Sequence, residues 1–210
     1  SSNCNRLILP SNQNPLGALP ARFRRPRLLI VGCGDVGMRV VHMLRGRANV
    51  LALSSSGARG LPQARPEVLR ALLGRPKSHA QDDVLAYYIR LFRAIGSPAF
   101  PVPEADMRER VLAGLQRNYH PAGSARQTLA IVADTTRPAQ LRRIKTPTLV
   151  LHGKADPLVP FACGEDTARR ISGAQLVGIE GMGHDLPPGG VDRLLSSMIP
   201  FFAQAATRPA

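Results

Sequence analysis

Two short apolar runs, residues 28–31 and 147–151, each close on a glycine turn. Each then leads through a helix-spaced segment into a second apolar run. A continuous run of β-formers without polar alternation is a strand buried on both faces. Strand, helix and strand in that order make a parallel pair joined by a right-handed crossover. The chain is thereby committed to a parallel sheet flanked by helices. The first unit has strands at 28–31 and 49–53 around a helix that begins at Val36 and repeats apolar side chains at Val40, Val41 and Leu44. The second has strands at 148–152 and 175–179 around a helix at 161–171, and a closing helix at 191–202 with Pro200 late in it. Between the two units, residues 66–73, 83–95, 104–115 and 124–132 read as helices separated by Gly and Pro breaks.

A chain of 210 residues can bury a substantial core as one domain. The expected division is a disordered leader over 1–26 and a single α/β domain over 27–206. That domain comprises a strand–helix–strand opening (27–55), a helical block (66–135) and a C-terminal segment (138–206). The leader's longest apolar stretch is Leu7 to Leu9, too short for the apolar region of a signal peptide. No apolar run approaches the ~18 residues of a membrane span. Cys4, Cys33 and Cys163 lie too far apart for a zinc pattern, and their odd number fits a reducing, cytoplasmic setting without a disulfide framework. No metal site is expected.

The net charge of +14 is uneven: residues 1–80 carry +11 and residues 81–210 carry +3. A surface that grips phosphate backbones clusters its arginines with stacking aromatics. Here aromatics are 4% of the chain, there is no tryptophan, and the early arginines are scattered. Nucleic acid is therefore not an expected partner.

The first chemical signal is Gly32-Cys33-Gly34-Asp35-Val36-Gly37, a G-x-G-x-x-G that follows a strand and opens a helix. In that context Gly32 makes the tight turn, Gly34 lets a pyrophosphate approach, and Gly37 lets helix pack on strand. Residues 27–59 resemble the opening of NAD(P)-binding epimerase and dehydratase proteins. The resemblance implies a cofactor, and Arg59 after Ser54-Ser55-Ser56 suits a 2′-phosphate, hence NADP. The resemblance stops there, because the chain turns to helices and no Tyr-x-x-x-Lys follows. The alternative is a strand-to-helix turn with no ligand and so no cofactor.

The second signal is Pro147-Thr148-Leu149-Val150-Leu151-His152-Gly153-Lys154-Ala155-Asp156, followed by Leu158, Val159 and Pro160. After one helix and one strand comes Gly181-Met182-Gly183-His184-Asp185. Residues 56–206 resemble the back half of the α/β-hydrolase family. The block with Ala94-Ile95-Gly96-Ser97-Pro98 and Tyr119-His120-Pro121-Ala122-Gly123 is similar to the lid of esterases related to aclacinomycin methylesterase. The resemblance implies that Asp156 and His184 stand at the acid and histidine positions of a catalytic triad, in that chain order. It also implies a small-molecule ester as substrate. Loops at the carboxyl ends of adjacent parallel strands would let a carboxylate orient the imidazole.

The nucleophile of that family sits in G-x-S-x-G, and this chain contains no such motif. On the only strand–turn–helix before the helical block, Gly34 falls where the serine belongs and Cys33 is one position off. The expected fold is therefore a truncated α/β-hydrolase-like parallel sheet of about four strands with a helical lid, and the expected ester hydrolysis is impaired. The order of segments reads as a dinucleotide-type opening joined near Ser54-Ser55-Ser56 to hydrolase sequence. The other candidates have plainer readings. His152 shapes a turn, His120 is a lid residue, His42 and His79 have no motif, Cys163 is core, and Asp185 is a loop hydrogen-bonder.

Overall fold

The computed structural model describes residues 28–31, 49–52 and 55–207, apart from nine positions between 118 and 135. Four strands, β1 (Leu28–Val31), β2 (Asn49–Ala52), β3 (Thr148–Gly153) and β4 (Gln175–Ile179), form one sheet in the order β1-β2-β3-β4. Every pairing is parallel. Leu28 stands opposite Asn49, Val50 opposite Thr148, and Leu149 opposite Gln175. The two strand–helix–strand units read from the sequence thus share a single sheet. Parallel neighbours require crossovers on the faces, and the β2-to-β3 connection contains the whole helical block.

That block comprises α1 (Pro66–Leu73), α2 (Gln81–Ile95) and α3 (Glu104–Arg117), followed by the short α4 (Arg137–Leu141) just before β3. Pro66 opens α1, where its missing N–H costs nothing. α2 starts two residues earlier than the apolar spacing suggests, with Asp82 and Asp83 in its first turn, where the helix dipole favours acids. Leu85 and Ile89 of α2 pack on Val111 of α3, with Tyr88, Met107, Leu112 and Leu115 around them. The Tyr87 hydroxyl donates to the Leu72 carbonyl at 3.2 Å, tying α2 to α1. Most of the helix expected at 124–132 lies outside the described residues, and the described Arg126 and Leu129 are helical. α4 was not read from sequence because five residues are too few to display a period.

β3 is buried at all six positions, as a strand flanked by β2 and β4 must be. Its two faces go to different layers. Leu149 and Leu151 join Ile179, Met182 and three residues of α6 (Val191–Thr207), namely Leu194, Met198 and Phe201. Those three recur at helical spacing, so α6 lays one apolar stripe on the sheet, while Pro200 falls on its exposed side. On the other face α5 (Phe161–Arg170) crosses from β3 to β4, and the Phe161 ring meets the His152 ring edge-on at 5.9 Å. Asp166 and Thr167 of α5 are fully enclosed.

The helical block is fastened at the carboxyl ends of the strands. The Arg65 N–H, at the entry to α1, donates to the Pro157 carbonyl at 2.9 Å, beyond β3. The segment leaving α2 bonds to the loop beyond β4. Among the described residues no helix is long and apolar enough to cross a membrane.

Candidate active site

β3 ends at Gly153, and a turn closed by the Asp156 N–H on the Gly153 carbonyl (3.3 Å) brings Asp156 to the edge of the sheet. One carboxylate oxygen, Oδ1, accepts the N–H groups of Leu158 and Val159 at 2.9 and 2.8 Å. These bonds hold the side chain in one orientation and leave Oδ2 available. The side chain is 4% exposed, so its oxygens need such partners.

β4 delivers the second group. Beyond Ile179 the chain turns through Gly181, at φ +66°, into the loop carrying His184. The acid turn and this loop are stitched together: the Lys154 N–H donates to Ile179 and the Ala155 N–H to Met182, both at 3.0 Å. His184 Nδ1 lies 2.8 Å from Asp156 Oδ2. The imidazole is 33% exposed, and Nε2 makes no hydrogen bond among the described residues. The arrangement is that of a carboxylate orienting an imidazole whose other nitrogen is available for proton transfer.

The His184 loop is also held from the helical block. The His184 N–H donates to the Ile95 carbonyl at 2.8 Å, and the Ala99 N–H to Gly181 at 3.1 Å. Ser97 Oγ donates to Asp185 Oδ1 and accepts the Gly183 N–H at 2.8 Å. A Cβ on Gly183 would lie 2.3 Å from the Gly96 carbonyl oxygen, so only glycine permits this approach. The sequence reading gave Ser97 no role. Its signal, Gly96-Ser97-Pro98, was legible only as a lid motif, since its partners stand 86 and 88 residues away.

The other candidates separate cleanly. His152 is buried, with Nδ1 3.1 Å from the Gly153 carbonyl at the end of its own strand. His120 accepts the Gly123 N–H at 2.9 Å, as a local helix cap. Cys163 is 2% exposed. Burial pushes its thiol up, a bond with Ser55 acts against this, and the Asp156 and Asp166 carboxylates add to the rise. A thiol so placed is a packed side chain and not an activated nucleophile. Gly32, Cys33, Gly34, Gly37 and His42 lie outside the described residues. Among the described residues no three His, Cys, Asp or Glu side chains gather as a metal site.

A parallel sheet with an acid beyond β3, a histidine beyond the adjacent β4 and a helical block over that end is an α/β-hydrolase-like fold. The comparisons with known proteins agree. Residues 123–209 match the family model described as TAP-like protein, of the α/β-hydrolases. Over 72 residues the chain is 40% identical to rhodomycin D methylesterase of Streptomyces peucetius, a match covering 34% of this chain and 24% of that protein. The matched segment is thus about a quarter of the relative's length. Among solved structures, a meta-cleavage product hydrolase from Pseudomonas fluorescens IP01 superposes with a TM-score of 0.57 at 18% identity. It covers 81% of this chain and 69% of its own. An esterase from Rhodococcus sp. ECU1013 gives 0.57 at 18% identity, covering 84% and 64%. At such identity the structural likeness speaks for the fold alone.

Proposed function

We propose that this chain carries the acid–histidine half of an ester-hydrolase site, with Asp156 orienting His184 and His184 serving as the base. The observation that carries the reading is the 2.8 Å bond between Asp156 Oδ2 and His184 Nδ1. The substrate class is a small-molecule carboxylic ester, in keeping with the methylesterase and esterase names of the similar proteins. In the full reaction a nucleophile attacks the ester carbonyl while the histidine takes its proton and returns it to the departing alcohol as the ester C–O bond breaks, and water then hydrolyses the acyl intermediate. The 210 residues contain no G-x-S-x-G, so the reading includes impaired turnover.

The test is hydrolysis of p-nitrophenyl acetate by the chain and by His184→Ala. The expected result is a rate near that of buffer, with little difference between the two proteins. Robust turnover that disappears in His184→Ala would overturn the impaired reading and place a nucleophile elsewhere in the chain.

A further inference from the structure

We propose that Ser97 is a positioning residue for His184, coupling the end of α2 to the orientation of the imidazole. The inference rests on the Asp156–His184 reading of the site and adds a residue to it. Ser97 is 5% exposed, and its described hydrogen bonds do not go to the ring. Instead it bonds both neighbours of His184, accepting the Gly183 N–H at 2.8 Å and donating to Asp185 Oδ1. A hydroxyl can do both at once, because it has one proton to give and lone pairs to receive. The donor side requires the carboxylate of Asp185, and the acceptor side removes a buried N–H from want of a partner.

The two bonds bracket a third. His184 itself is fixed by its N–H on the Ile95 carbonyl, two residues before Ser97. Ala99, two residues after, holds Gly181. Alternate residues 95, 97 and 99 thus grip residues 181 to 185 along their length, 95 and 99 through their backbones and Ser97 through its hydroxyl. On the far side the same loop is held by the acid turn, through Ala155 on Met182. His184 is therefore clamped between the acid it bonds and the helical block. A displacement of α2 moves the loop relative to Asp156, and a change at Ser97 alters the Nδ1–Oδ2 bond without a hydrogen bond to either atom.

The experiment is nitrogen-edited proton NMR of the imidazole in the full chain, uniformly 15N-labelled. The wild type should show a downfield His184 Nδ1 proton, protected from exchange, that is lost in Asp156→Asn. Ser97→Ala should lose that signal or exchange it with water about tenfold faster or more, as local opening frees the loop. Ser97→Thr, which keeps the hydroxyl, should restore it. Gly114→Ala, a change in α3 with open space around it, should leave it untouched. A Ser97→Ala protein with the wild-type signal and exchange rate overturns the coupling. A wild type without the signal, or an Asp156→Asn protein that retains it, overturns the site reading instead. If Ser97→Ala fails to fold, Asp185→Ala removes the acceptor of the Ser97 hydroxyl and is read the same way: loss or fast exchange supports the coupling, and no change refutes it.

Discussion

The strongest electrostatic commitment in the described fold lies outside the Asp156–His184 pair, at Asp166 on α5. Its side chain is 3% exposed and bonds three partners: Ser56, 110 residues earlier just beyond β2, and Arg169 and Arg170 on its own helix. Burial pushes this carboxyl up, but the bonds from Arg170, Ser56 and Arg169 outweigh burial and bring it from 3.8 to about 2. A shift of nearly two units corresponds to about 2 kcal/mol of folded-state preference for the ionised form. The sign follows from proton uptake. Between about pH 4 and pH 2 the unfolded chain binds a proton at this group while the folded chain does not, so stability falls as pH falls. It is fully present above the unfolded value and lost through the folded one. Asp166→Asn removes the titration. Urea unfolding from pH 7 to pH 2 should show the variant less stable by about 2 kcal/mol near neutrality, a Tm deficit of roughly 4–8 °C for a chain of this size. The gap between the proteins should then close by about that amount between pH 4 and pH 2. A gap that stays constant across this window would refute the argument, because the wild-type bonds would then be indifferent to ionisation.

Gly183→Ala should destabilise the fold by about 1–3 kcal/mol in urea unfolding, since the new Cβ meets backbone carbonyls of Gly96 and Ile95 that cannot rotate away. Gly114→Ala, in the interior of α3 with nothing near its Cβ, should instead raise stability by about 0.5–1 kcal/mol in the same assay. Cys163 should resist iodoacetamide in the native protein and react on unfolding, as peptide mass mapping would show; native labelling at that site would contradict its burial and raised thiol.

The sheet was legible because parallel central strands are written as unbroken apolar runs. Thr148 to Leu151 could be nothing else, and α6 announced itself by Leu194, Met198 and Phe201 at helical spacing. Element ends were less legible. α6 runs on to Thr207, beyond the expected 202, because Ala203, Gln204, Ala205 and Ala206 are good helix formers that carry no apolar period to read. The positions of Asp156 and His184 were legible from resemblance, and their adjacency from two loops on neighbouring parallel strands. What the sequence could not display was the fixing of those loops. The Asx turn at Asp156 is local and readable in principle, but the hold of residues 95–99 on 181–185 joins segments more than 80 residues apart. Periodicity carries no information about such a contact.

That hold, with the acid turn, keeps Asp156 and His184 aligned. The described hydrogen bonds that place Asp156 come from the turn after β3, and those that place His184 come from the acid turn, the Ile179 end of β4 and residues 95–99. Arg65, at the entry to α1, adds one bond to the acid turn through the Pro157 carbonyl. The geometry is over-determined by backbone bonds among three loops and by a glycine whose position admits no side chain. A triad nucleophile contributes attack on the substrate, whereas the pair's alignment is a property of the sheet end and the helical block. The described bonds that align the pair therefore stand apart from whatever group attacks a substrate. Substitutions at Ser97, Gly183 or Ile95 act on those constraints.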